Sequence, residues 1–464
     1  EPLFSTNSKI YVFDVKKVLR FFKKYNLSHD PKKFFDLKIA NYLIDSNRRD
    51  DFESFLKIYG FNLRSEERVF YINKLSKIVT KEIIENRIES LFEDVEMPLS
   101  IILTEMENEG VNIDTKLLDD IYKQFDNSLK KLQSEIFSFS GEEFNLASPK
   151  QLGEILFDKL KIESKAKKTK TGQYSTSEET LSKLSEKHKI VEKILKWRSL
   201  QKLITTYVTA LPKQINSETK RIHTIFNQTL TSTGRLSSLN PNLQNIPIRT
   251  ENGKLIRKAF TPRDDKHILV SADYSQIELR VIASMSNDKS MIDAFNNDED
   301  IHTATAANVF GINLKDVTPE QRSHAKVVNF GIIYGVSAFG LSNQTKLSRS
   351  ESKEIIENYY KSYPKLKDFT QDQIEFAREN GYVKTILGRK RFLNDINSRN
   401  AILRSSAERN AINTPVQGSA ADIIKIAMVK INNVFQNQSI KSKLVLQVHD
   451  ELIFDCLIDE LKIV

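Results

Sequence analysis

The C-terminal half of this chain holds two short apolar runs that each end in an aspartate, with a long helical stretch between them. His-Ile-Leu-Val-Ser-Ala-Asp closes on Asp273, and Leu-Val-Leu-Gln-Val-His-Asp closes on Asp450. Each run predicts a buried strand that delivers its carboxylate on stiff backbone to one edge of a sheet. The second resumes after Glu451, so 443–448 and 452–456 read as a hairpin with carboxylates at its tip. A further strand is expected over 221–228. Residues 287–413 read as mainly helical, interrupted near Gly381 and Gly388 by a second hairpin. The fold class implied is α+β: a sheet interrupted by a helical insertion and preceded by another helical segment, like a palm with two appendages.

Residues 1–95 mix helices with short strand candidates at 9–13 and 38–43. From Glu96 onward Ile101, Ile102, Met106, Leu117, Leu118, Ile121 and Phe125 recur at helical spacing. The basic segment 161–170 has no period and reads as an exposed loop, either a solvated connector or a fingertip that touches nucleic acid. Ser175/Glu178 and Thr176/Glu179 both match a capping box, so a helix is expected to start there.

Several function classes are excluded by composition. The 464 residues suffice for two to four domains, and the net charge of +9 favours a polyanionic partner without specifying one. A lone cysteine, Cys456, rules out an internal disulfide and fits a reducing compartment. No apolar run approaches the ~20 residues that cross a bilayer. The expectation is a cytoplasmic protein with no membrane partner.

Chemistry enters through combinations. Alone, Asp273 reads as a cap or solvated turn, and Ser275 with Glu278 reads as a capping box. A second strand-end acid, Asp450, flanked by His449 and Glu451, is poor design unless a cation neutralises the group. Oxygen donors of this kind suit magnesium or manganese. Arg322, Lys326, Phe330 and Tyr334 recur every four residues and so share one helical stripe, cations first and aromatics after. That order matches a triphosphate with its base, although a surface helix with an aromatic core half gives the same pattern. The turn-rich 231–247 segment offers hydrogen-bonding side chains and Arg235, suited to a sugar-phosphate backbone or to an ordinary polar loop. Arg409, Asn413 and Gln417 also share a face, in a helix that Pro415 would break. Hard carboxylates and phosphate-binding cations together indicate phosphoryl transfer.

Asp-Tyr-Ser-Gln-Ile-Glu-Leu-Arg (273–280), Arg322-x3-Lys326-x3-Phe330-Gly-x2-Tyr334-Gly and Gln447-Val-His-Asp-Glu451 resemble the three polymerase motifs of family A DNA polymerases. Thr-Gly-Arg-Leu-Ser-Ser, Pro-Asn-Leu-Gln-Asn-Ile-Pro and Asp-Ile-His-x-Ala-Thr-Ala match in family order, from about residue 90 to the end. The resemblance implies a right-hand polymerase fold, with an antiparallel palm sheet and helical fingers and thumb, preceded by part of an RNase H-like exonuclease domain. The domains would be 1–95 (partial, inactive 3′–5′ exonuclease-like), 96–215 (thumb with palm entry), 216–286 (palm), 287–407 (fingers) and 408–464 (palm, truncated). It implies two Mg2+ ions, replaceable by Mn2+, on Asp273, Asp450 and the Tyr274 carbonyl, with Glu451 assisting.

By the same resemblance Arg322, Lys326, Phe330, Tyr334, Glu278, Gln276 and His302 would meet the deoxynucleoside triphosphate. Arg235, Asn245, Arg409, Asn413, Gln417, Gln447 and His449 would meet primer-template DNA. Glu278 would crowd a ribose 2′-hydroxyl, which disfavours an RNA polymerase, and Phe330 implies poor use of dideoxynucleotides. A monomer associated with a bacterial nucleoid is expected. Val18 and Leu75 stand where the proofreading pattern requires carboxylates, so no proofreading is expected. The chain stops short of the family's last palm elements. That leaves a second reading, a primer-template binding piece without catalysis.

Overall fold

The computed structural model describes residues 8–27, 30–62, 68–248, 250–345 and 347–464; the first seven residues of the expected exonuclease-like domain lie outside them. Among the described residues two large hydrophobic cores divide the chain, with a small third cluster of Ala377, Val383, Leu393, Ile396, Ala407 and Ala411. One is built by residues from Val15 to Met97, the other by residues from Leu99 to Cys456.

In the first, β1 (Ile10–Val12) pairs in parallel with β2 (Phe34–Asp36), around α1 (Val15–Lys24), α2 (Leu37–Ile44) and α3 (Arg68–Glu85). The strand expected over 38–43 is helix instead. Asp36 caps it by accepting from Lys38 N at 2.8 Å, and the apolar run is buried on every side. A short run without period leaves helix and strand equally open, and here the cap decides.

The second core begins with α4 (Met97–Glu109) and α5 (Thr115–Ser140), the long helices read from their spacing. The basic segment is exposed over most of its length, as expected. The helix that follows, α6 (Glu178–Ser185), is capped by Ser177. Neither expected capping box forms; Ser175 spends its hydroxyl on Thr180 Oγ1 at 2.9 Å. Next come α7 (Lys189–Leu203) and a small hairpin of β3 (Ile225–Asn227) and β4 (Ser237–Leu239).

The sheet that matters lies beyond. It contains β5 (His267–Asp273), followed by α8 (Ile277–Ser286), α9 (Ile301–Phe310), α10 (Pro319–Ile333), a hairpin of β6 (Tyr382–Lys384) and β7 (Lys390–Phe392), and α11 (Ala401–Asn437). Strands β8 (Lys443–Val448) and β9 (Glu451–Leu457) close the chain. The strand order is β8-β9-β5, all antiparallel. The two apolar runs therefore meet, but only β8 and β9 are substantially buried. Strand β5 lies at an edge of the three and is largely exposed, Asp273 included, which corrects the expectation of a buried strand. Helix α11 runs through Pro415 unbroken. Its middle, from Ala407 to Met428, is buried, and packing there outweighs the lost backbone bond.

Candidate active site

Register brings the two aspartates together. Glu451 faces Asp273 across the β5–β9 ladder, and Tyr274 N donates to Asp450 O at 3.2 Å. The hairpin can turn there because His449 takes a left-handed conformation, φ 56°. Burial raises the pKa of Asp273, and the charges of Asp450 and Glu451 raise it further. Asp450 is raised by burial too, against the pull of Arg235 and His449. An acid whose charge is disfavoured by two neighbouring carboxylates makes a site that a cation would relieve.

Glu451 has further partners. Its carboxylate takes Arg257 Nη2 at 2.8 Å and the Ser271 hydroxyl while its charge still acts on Asp273. Among the described residues no three His, Cys, Asp or Glu side chains are grouped to hold a metal. Two carboxylates and a backbone carbonyl nevertheless fit magnesium, which keeps waters and substrate phosphates for its other positions.

Helix α10 carries the predicted stripe. Its start is fixed by a complete capping box, with Thr318 at the N-cap and Gln321 reaching back. Lys326, Phe330 and Tyr334 line one groove of about 840 Å³ together with Arg409. Arg322 pairs with Asp300, Nε to Oδ2 at 2.9 Å, while Asp300 caps α9. Although burial opposes it, Arg322 holds Asp300 below the usual carboxylate range. His302 lies against Phe330, ring centroids 5.8 Å apart, and meets Asn329 Nδ2 at 3.0 Å. Burial, helped by Arg322 and Lys326, lowers His302 to about 4, so the imidazole is neutral at pH 7.

Glu278 is buried between two partners. Arg235 Nη2 pairs with Oε1, and Tyr334 donates to Oε2 at 3.1 Å. The capping box expected with Ser275 does not form, because Gln276 occupies the N-cap in a left-handed conformation and Glu278 is engaged with tertiary partners. Burial raises the Glu278 carboxyl, while Arg235 works in the opposite direction. Gln417 reaches the Tyr334 hydroxyl from α11.

The remaining candidates form a cleft wall. Asn245 and His449 line a cleft of about 870 Å³ with Arg198, Lys202 and Tyr207. Arg409 donates to Ser405 Oγ at 3.2 Å, and Asn413 Oδ1 is buried without a partner. Gln447 is buried and lines a small cavity with Arg235, His449 and Asp450. Gln244 donates to its side-chain oxygen at 2.9 Å, and its own amide holds the His449 carbonyl. Gln447 thus braces the hairpin. Arg257, Gln244, Asn329 and Asp300 escaped the sequence reading, since partners this remote leave no local periodicity.

The chain belongs to DNA polymerase family A, whose sequence model matches residues 115–464. It is 44% identical to DNA polymerase I of Caldicellulosiruptor bescii over 474 aligned positions, covering 100% of this chain and 55% of the relative. DNA polymerase I of Bacillus caldotenax is 44% identical over 454 positions, 92% of this chain and 52% of the relative. The chain thus spans about half the length of these relatives. Among solved structures, the POL domain of Pol1 from M. smegmatis, in complex with DNA primer-template and dNTP, matches with a TM-score of 0.93 and 36% identity. That match covers 99% of this chain and 82% of the other. The α+β architecture read from the sequence is that of a family A polymerase domain.

Proposed function

We propose that the chain is a template-directed DNA polymerase that adds deoxynucleotides to a primer 3′-hydroxyl and does not proofread. The observation that carries this reading is the register that sets Asp450 beside Tyr274 and Glu451 opposite Asp273. The family match and the primer-template and dNTP bound to the M. smegmatis domain support it. Under this reading 96–215 is the thumb with palm entry, 216–286 and 408–464 the palm, and 287–407 the fingers.

Asp273, Asp450 and the Tyr274 carbonyl would hold two Mg2+ ions, which supply neutralisation of phosphate charge and a more nucleophilic primer hydroxyl. The chain does the rest by binding and orientation. Lys326 and Arg322 receive the triphosphate, Arg322 after releasing Asp300. Neutral His302 can donate a hydrogen bond without adding charge. Phe330 and Tyr334 offer faces to sugar and base. Glu278, immobilised by Arg235 and Tyr334, occupies the space a ribose 2′-hydroxyl would need. Gln276, at the N-cap of the same helix, would meet the nucleotide as well. Arg235, Asn245, Arg409, Asn413, Gln417 and His449 line the path of the primer-template, while Gln447 keeps the hairpin in register. Positioning and preorganised charge account for much of the acceleration in such a transfer.

Absence of proofreading rests on Val18 and Leu75 at positions where metal-binding acids would be needed. The test is extension of a labelled primer with magnesium and four deoxynucleotides, with a mismatched terminus alongside. Asp450→Ala should abolish extension and leave primer-template affinity within a few-fold. Retained synthesis would refute the metal assignment, and trimming of the mismatch would refute the absence of proofreading.

A further inference from the structure

A charged cluster sealed from solvent joins five distant parts of the chain. Glu96 accepts from Arg389 Nη2, from Lys425 Nζ at 2.7 Å and from Gln228 Nε2 at 2.8 Å. Asp422 takes Arg389 Nε at 3.0 Å and Thr385 Oγ1 at 2.5 Å. The Tyr42 ring lies 5.9 Å from the Arg389 guanidinium. Tyr42, Glu96, Arg389, Asp422 and Lys425 are all at most 2% exposed. Replacing such a buried network by well-packed apolar groups often costs nothing, so its presence is weak evidence of stabilisation. What it supplies is geometry.

The turn at 231–235 rests directly on this cluster. Tyr42 Oη donates to Thr231 O at 2.7 Å, and Thr231 Oγ1 donates to Arg235 O at 2.6 Å. A Cβ on Gly234 would stand 2.7 Å from Arg389 Nε, and one on Gly418 would stand 3.0 Å from Thr233 O. Only glycine lets guanidinium, turn and α11 approach so closely. The turn is therefore fixed from below and from the side, and its last residue is the one that grips Glu278. Burial pushes the Tyr42 phenol up to about 12, so it remains a donor at any working pH.

We propose that Tyr42 and Arg389 are positioning residues for Arg235: they set the height of the 231–235 turn and thereby the point at which Arg235 meets Glu278. Tyr42 and Glu96 lie outside the family-matched residues 115–464. The N-terminal core is then a brace for the nucleotide site rather than an appendage to it. The kinetic part of this inference rests on the polymerase reading; the mechanical part does not.

Tyr42→Phe in the full chain keeps the ring and removes the donor. Amide exchange over 229–238 should quicken by roughly threefold to tenfold, the weight of one buried neutral hydrogen bond. In primer extension the ribonucleotide-to-deoxynucleotide ratio of kcat/KM should rise by a similar factor, and the effect should vanish in an Arg235→Ala background. Ile44→Val, a core change in the same helix, should alter neither readout despite a comparable stability cost. Unchanged exchange in Tyr42→Phe, or a selectivity change that persists undiminished beside Arg235→Ala, overturns the proposal. Should the parent chain extend no primer, the polymerase reading fails and the exchange measurement alone decides.

Discussion

Tyr334 donates its hydroxyl to Glu278 at 3.1 Å across 56 residues of chain, and Arg235 holds the other oxygen of the same carboxylate. A side chain clamped at both oxygens cannot swing aside for a bulkier sugar. Glu278→Ala should therefore raise ribonucleotide incorporation relative to deoxynucleotide by about 10- to 100-fold, the scale on which a pocket senses one hydroxyl. Steady-state selectivity with paired substrates checks this, and an unchanged ratio counts against the gate.

Lys326 and Arg322 differ in what they must give up. Among the described residues Lys326 is exposed and has no ion-pair partner, whereas Arg322 is paired to Asp300. Lys326→Ala should lower kcat/KM for the nucleotide by about 10- to 100-fold, as expected for losing a hydrogen bond to a charged group. Arg322→Ala should cost less, because its gain is offset by breaking the Asp300 contact. A larger loss in Arg322→Ala would reverse this assignment.

His302 links stability to acid. Its folded value of about 4 lies below the ordinary 6.5, so the unfolded chain binds the extra proton between them. Its contribution is complete above pH 6.5 and is lost as pH falls through 4. Stability should drop by on the order of 3 kcal/mol over that window, about 2 kcal/mol of it by pH 5, and His302→Gln should flatten the drop. Urea midpoints at pH 7 and pH 5, compared between parent and variant, give the answer.

Lys425→Met would leave Glu96 with Arg389 as its sole cation. Burial opposes ionisation of Glu96, yet Lys425 and Arg389 together hold it near about 2. Removing one partner of a buried pair costs about 3 kcal/mol or more, so the denaturant midpoint should fall. The stability tied to Glu96 is present above its ordinary 4.5 and lost as pH drops toward 2; the variant should lose it at higher pH. A midpoint equal to the parent's would show that the cluster bears no net load.

By itself the amino-acid sequence determined those features whose cause is local. Apolar runs ending in Asp273 and Asp450 made strands, His449-Asp450 made a hairpin tip, and the four-residue spacing from Arg322 to Tyr334 made one helical stripe. Where local causes competed, only the tertiary structure decided. Residues 38–43 became helix once Asp36 capped them and a core enclosed them, and Pro415 stayed inside a helix whose burial outweighs one missing bond. Glu278 was drawn from a capping box to Arg235 and Tyr334, Glu451 gained Arg257 while still facing Asp273, and Gln447 paired with Gln244. A charged or amide side chain takes the partners that desolvation leaves within reach, and partners 43 to 203 residues away leave no trace in spacing or period.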